Sequence, residues 1–283
     1  MTQSKIFKEE FEKFYSNIEK FYQLTIQRFE PEDIHNLRVT IKRLRAFFYL
    51  IKAINLDFKL EKNFKPARKL FKNAGKIRDI QVQIDLASIW QTEIEAEFNT
   101  YLDVLAKKEA NAKAEFLAFT EKFNLKKIAC KAKNVSKVLK KVSLKKTEKR
   151  TYKYLVQMFN NIIQSGDITN LNSEALHYLR ILTKEFRYNL EFIAICLPQL
   201  TFPGTLIVEL QKVHQILGLI NDHNVAHHFF ANIPIEQSSG HKLEPVYQKI
   251  EKQKLILHED FIAQWIEFKR LFPDASFFIF KHK

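Results

Sequence analysis

Two short runs of basic residues in this chain echo each other. The first reads His35-Asn-Leu-Arg38-Val-Thr-Ile-Lys42-Arg43-Leu-Arg45, the second His177-Tyr-Leu-Arg180-Ile-Leu-Thr-Lys184-Glu185-Phe-Arg187. His, Arg, Lys and Arg recur at identical spacing, offset by 142 residues (35 to 177). A guanidinium offers forked N–H donors that match phosphate oxygens, and an ammonium supplies a compact, flexible point charge. The chemistry these residues can do is anion binding. A second pair of blocks follows, Gly75-Lys-Ile-Arg78-Asp79-Ile-Gln-Val82 against Gly218-Leu-Ile-Asn221-Asp222-His-Asn-Val225, at an offset of 143 (75 to 218). Two blocks kept in order at nearly constant offset point to an internal duplication.

On a helix each residue turns the chain by about 100°, so His35, Arg38, Lys42 and Arg45 fall within an arc of about 80°. His177, Arg180, Lys184 and Arg187 do the same. Leu37, Ile41, Leu44 and Phe48 lie on another face, as do Leu179, Phe186, Leu190 and Ile193. Each helix is therefore expected to bury an apolar stripe and to present a separate cationic stripe about three turns, or roughly 15 Å, long. One such helix would pass for an ordinary solvent-facing surface. Its repetition in both halves favours function. If related halves pack with their stripes facing, the stripes line a positively charged groove or pore, and the repulsion is tolerable only where an anion usually sits.

The elements that must position these stripes are helices. The chain has 283 residues, 26 of them Phe, with only 5 Gly and 7 Pro, so long uninterrupted helices and an all-α fold are expected. A first helix spans about 3–29, with apolar residues at Phe7, Phe11, Phe14, Ile18, Phe21 and Leu24; Pro31, Glu32 and Asp33 start a second that runs to about Ile54. Further helices are expected near 59–72, 77–90, 92–123, 152–164, 173–196, 205–217, 222–230 and 243–271. Between Lys122 and Lys153, thirteen cations face one acid, Glu148, a net charge of +12 out of +14 for the chain. This stretch reads either as a solvated connector between the halves or as a basic strap that joins in anion binding. The division is a first repeat over about 1–123, a connector over about 124–150 and a second repeat over about 151–283.

The repeated blocks resemble the CHAD domain, a helical family named for histidines in the positions of His35 and His177. The resemblance rests on H-x-x-R-x-x-x-K-R-x-R and G-x-x-R-D-x-x-V in the first half. In the second it rests on H-x-x-R-x-x-x-K-x-x-R-Y, which includes Tyr188, and G-x-x-N-D-x-x-V. It implies two pseudo-symmetric four-helix-bundle halves forming one domain, binding of inorganic polyphosphate in a basic central cavity, and association with polyphosphate granules. By the same resemblance, the ligand-facing set is His35, Arg38, Lys42, Arg45 and Arg78 with His177, Arg180, Lys184 and Arg187. Lys69 and Lys212, six residues before each glycine, are weaker members. Glu185 stands where the first half has Arg43, so the halves are expected to bind unequally.

Other chemistry finds little support. Asp79 and Asp222 read as helix caps or as partners that orient an Arg, not as catalytic acids. His35 and His177 either donate to phosphate when protonated or sit neutral and hydrogen-bonded near their helix starts. His223 and His227 stand at i and i+4 beside His228, but no HExxH motif accompanies them and no specific metal site is expected. There is no phosphate-binding glycine loop, no dinucleotide fingerprint and no cofactor motif. CHAD domains often accompany a triphosphatase-like CYTH domain, whose Glu-x-Glu-x-Lys signature is missing here because Glu93, Glu95 and Glu97 lack the lysine, so the chain reads as a standalone module. Cys130 and Cys196 lie far apart, and the charged amino terminus has no signal-peptide core, so a soluble cytoplasmic protein is expected. The alternative to polyphosphate is non-specific RNA binding by the same charge, although no base-reading motif is legible. A hydrolase or kinase acting on polyphosphate would need a nucleophile or a metal-binding carboxylate set that the stripes lack.

Overall fold

The period of the apolar residues becomes helix almost throughout. The computed structural model describes residues 2–94, 99–165, 172–230 and 244–280. Its first helices are α1 (Gln3–Arg28), α2 (Pro31–Ile54), α3 (Leu60–Ile94) and α4 (Asn99–Lys122). Short α5 (Lys126–Ala129) and α6 (Lys131–Leu139) follow, then α7 (Leu144–Ser165), α8 (Ser173–Cys196), α9 (Gly204–Phe230) and α10 (Glu244–Leu271). The fold is all-α, as the composition requires. A two-residue strand, β1 (Leu200–Thr201), pairs antiparallel with β2 (Ile279–Phe280), and the 3-10 turn Ala275–Phe277 precedes β2. This tail closes over the second half, with Phe277 edge-on to Phe159 at 4.9 Å.

Helices α1 to α4 pack in sequence, each on the next, and α7 to α10 do likewise. The two series meet where α2 lies against α8. Phe14 and Phe47 approach Phe192 of α8 edge-on, at 5.2 and 5.8 Å. The core runs through both series, from Phe7 and Phe11 to Trp265 and Phe278. Fully burying each large apolar side chain contributes about 1.5–3 kcal/mol, which fixes α2 and α8 back to back on their apolar stripes. Their cationic stripes must then emerge beside that contact.

Three expectations change. The helix break expected near Gly75 is absent, since α3 runs through it; α9 likewise runs through Gly218. A glycine inside a helix costs about 1 kcal/mol relative to alanine, too little to stop one. Asp79 and Asp222 consequently sit in helix interiors rather than at caps. The lysine-rich segment is not a loose connector, because Ile128, Ala132, Val135 and Leu139 are buried in the core and α6 packs on α1. Asn55 Nδ2 donates to the Val138 carbonyl at 2.8 Å, and Asn134 Nδ2 to Asn63 Oδ1 at 2.7 Å. The expected final helix begins at Glu244; Leu243, Glu95 and Glu97 lie outside the described residues.

Candidate functional site

Lys42 and Arg45 of α2 and Arg180 and Lys184 of α8 line one cleft with about 420 Å³ of empty space, together with Ala46, Ile181, Glu185 and Tyr188. Two i, i+3 or i, i+4 pairs on apposed helices bring four cations to one place, with Glu185 the single carboxylate in the lining. Neither lysine has an ion-pair partner among the described residues. Burial, then repulsion from Lys184, Arg38, Arg180 and Arg45, pushes the Lys42 ammonium down to about 7. Burial, then Arg180 and Arg187, brings Lys184 down to about 8, against some support from Asp222. Burial also raises the Glu185 carboxyl, with Arg45 pulling the other way.

Gly75 sets the position of Arg38. A Cβ on that glycine would stand 2.1 Å from Arg38 Nη1, so the guanidinium lies directly on the α3 backbone. It is stacked over the Phe71 ring at 4.4 Å and faces Asp79 at 3.5 Å. The glycine is thus a close-approach residue rather than a turn residue. In the other half the relation is looser, with Arg180 Nε 4.0 Å from the equivalent point on Gly218.

The two histidines differ because the residues facing them differ. His177 Nδ1 meets Asn221 Oδ1 at 2.7 Å; the amide oxygen can only accept, so Nδ1 is the donor in this contact. In the first half Arg78 takes the place of Asn221, and it forms an ion pair with Asp85 at 3.6 Å. Burial, then Arg78, disfavours the charged form of His35, with Lys42 and Lys184 adding to the effect against Glu32. His35 therefore senses both stripes.

Glu191 of α8 clamps the stripes together. It accepts from Arg187 at 2.8 Å on its own helix and from Arg43 of α2 at 2.7 Å. Both guanidiniums also lie against the Tyr188 ring, at 5.0 and 5.3 Å. Arg43 thus acts as a cross-strut between halves, while Arg187 is partly neutralised.

Lys69 and Lys212 do not join this cleft. Lys212 is exposed and bonds to Glu209 at 2.8 Å; Lys69 is exposed on α3, in a surface depression it shares with Lys62, Lys65, Arg68 and Lys72. Residues one to three positions away on that helix border the central stripes instead. Arg68, Phe71 and Lys72 share with Lys42 and Arg45 a second cleft of about 730 Å³. The sequence reading also missed His214 of α9, four residues before Gly218 as Phe71 is before Gly75. Burial and the surrounding Lys184, Arg180, Arg187 and Lys42 hold its imidazole down to about 3, and its Nε2 is buried without a hydrogen-bond partner among the described residues.

Elsewhere, His223 contacts the Leu219 carbonyl at 2.8 Å and Gln253 at 2.7 Å, and His227 lies 3.6 Å from Glu251. Among the described residues, no three His, Cys, Asp or Glu side chains gather as metal ligands would. Burial pushes the Cys196 thiol up to about 12. No helix among the described residues is long and apolar enough to cross a membrane.

Taken together, the helices and cleft define an all-α protein built around a strongly cationic center. The chain belongs to the CHAD domain family, which its sequence matches over residues 9–231. The fold is similar to that of the crystal structure of the CHAD domain from the plant Ricinus communis, with a TM-score of 0.69 at 17% identity, covering 99% of this chain and 95% of that one. It is also similar to PptA from Streptomyces chartreusis, with a TM-score of 0.63 at 11% identity, covering 93% and 98% of the two chains. At these identities the likeness is one of fold. A comparison with curated proteins gives no match.

Proposed function

We propose that this chain is a non-catalytic module that binds inorganic polyphosphate between the cationic stripes of α2 and α8. The observation that carries the reading is the pair Lys42 and Lys184, half-buried in one cleft among arginines with their protonated forms disfavoured. A polyanion entering there would relieve the repulsion and restore both charges. Linear phosphate suits the row geometry, since successive phosphates meet successive donors at helical spacing. Membership of the CHAD family supports the same ligand. Lys42, Arg45, Arg180 and Lys184 would touch the chain directly. His35, Arg38, Arg78, His177 and Arg187 would flank it, and His214 would offer a neutral imidazole. Lys69 and Lys212 play no part in this central cleft. Association with polyphosphate granules would follow from such binding.

The test is a titration of long-chain polyphosphate into the wild type and into Arg180→Glu/Lys184→Glu at physiological salt, with RNA as competitor. Tight binding that survives RNA and is lost in the variant, by about a hundredfold or more, supports the reading. Binding that RNA displaces, or that the variant retains, contradicts it. Phosphate release with and without magnesium checks that no hydrolysis accompanies binding.

A further inference from the structure

The lysine-rich segment that the central cleft leaves unused builds a second basic surface. Lys62, Lys65 and Lys69 of α3 converge with Lys122 at the end of α4, Lys127 of α5 and Lys131 of α6. They rim a groove with about 920 Å³ of empty space, floored by Pro66, Phe119 and Phe123 and lined by no carboxylate. No ion pair joins any of these six lysines to an acid among the described residues. Folding fixes this charge in place, because Ile128 and Ala132 bury the inner face of the same segment. Six ammonium groups around a partly apolar floor repel one another, which suits a polyanion that is usually present.

The groove also connects with the central cleft. Lys42 and Arg45 line both the cleft and the neighbouring depression that holds Arg68 and Lys72. Arg68 and Lys72 in turn border a surface with Lys62, Lys65 and Lys69, where Glu61 is the single acid and bonds to Arg68. Those three lysines then belong to the groove itself. From Lys72 back to Lys62 the path follows about 15 Å of helix. Among the described residues, the other half shows no such path. At the repeat offset of 143, Lys62, Lys65, Arg68 and Lys72 correspond to Thr205, Val208, Gln211 and Gln215, while the match of Lys69 is Lys212, already bonded to Glu209.

Resting on the polyphosphate reading above, we infer that a long phosphate chain leaves the central cleft on one side only. It crosses α3 past Lys72 and seats in the groove formed by α3, α4, α5 and α6. The cleft alone takes short chains, and the groove confers a preference for long ones.

The experiment compares tripolyphosphate with long-chain polyphosphate on the full chain, for the wild type, a groove variant Lys65→Glu/Lys127→Glu, a cleft variant Arg180→Glu/Lys184→Glu and a charge-matched control Lys252→Glu/Lys269→Glu on α10. The altered groove lysines are exposed, and helicity by circular dichroism checks that each variant folds. The groove variant should lose about tenfold in long-chain affinity, with a shallower salt dependence and unchanged tripolyphosphate binding. The control should keep its long-chain affinity. If the groove variant binds both ligands as the wild type does, weakens both equally, or behaves like the control, the track is refuted while the cleft reading stands. If the cleft variant keeps its affinity for tripolyphosphate and long chains alike, the cleft reading itself fails.

Discussion

Gly75 and Arg38 work as a pair. Removing the side chain at position 75 lets the Arg38 guanidinium lie on the α3 backbone, between Phe71 and Asp79. Gly75→Ala should therefore displace Arg38 and weaken polyphosphate binding several-fold, with thermal stability little changed because the added helix propensity offsets the displacement. Gly218→Ala should instead be tolerated, raising stability by about 0.5–1 kcal/mol and leaving affinity alone, since the nearest atom is 4.0 Å away. Thermal unfolding and a binding titration on both variants check the contrast. At this scale the sequence was informative about identity and poor about direction. The repeated blocks contain the four cations that line the cleft, Lys42, Arg45, Arg180 and Lys184, because helical spacing decides who shares a face. Counting back from Gly75 could not tell that Lys69 lines the outer groove while Arg68, Phe71 and Lys72 border Lys42 and Arg45. His214 escaped because a lone histidine, whose counterpart at the repeat offset is Phe71, carries no motif.

Between elements, the contact of α2 with α8 holds the site, and Glu191 is its polar fastening. Glu191→Gln removes the charge shared by Arg43 and Arg187 and leaves two guanidiniums facing one amide. Stability should fall by about 1–2 kcal/mol, between an exposed and a buried ion pair, and saturating polyphosphate should restore part of it. A full loss in both the presence and absence of ligand would contradict that account. Helix α6 gives a second test. Leu139→Ala should cost about 2–4 kcal/mol in denaturant unfolding, whereas a loose connector would show no effect. Its lysines hid an apolar period that was present all along, Ile128, Ala132, Val135 and Leu139. Charge density dominated the reading of that stretch and packing decided its structure. In α3 and α9 the misleading signal was glycine, which suggested punctuation that the helices ignore. The pairing of β1 with β2 had no sequence signal, since two residues per strand are too few to show a period of two.

For the molecule as a whole, the unpaired cations of the cleft tie function to pH. Both central lysines titrate below their unfolded value of 10.5, so between about 7 and 10.5 the unfolded chain binds more protons than the folded one. The free protein should accordingly become more stable as pH rises through that window. A bound polyanion reverses the preference by holding the lysines charged, so binding takes up protons and affinity falls as pH climbs from about 7. The all-α class and the two repeat blocks were legible from the sequence. What it could not give was how deeply the stripes are buried, which follows from the apolar contact of Phe14 and Phe47 with Phe192. The most direct measurement follows the side-chain ammonium of Lys42 and Lys184 by NMR through a pH titration, with and without long-chain polyphosphate. In the free protein Lys42 should titrate near 7 and Lys184 near 8, and with the ligand both should move up toward 10.5. Midpoints that stay where they were, while polyphosphate is demonstrably bound, would place the ligand elsewhere and contradict the cleft.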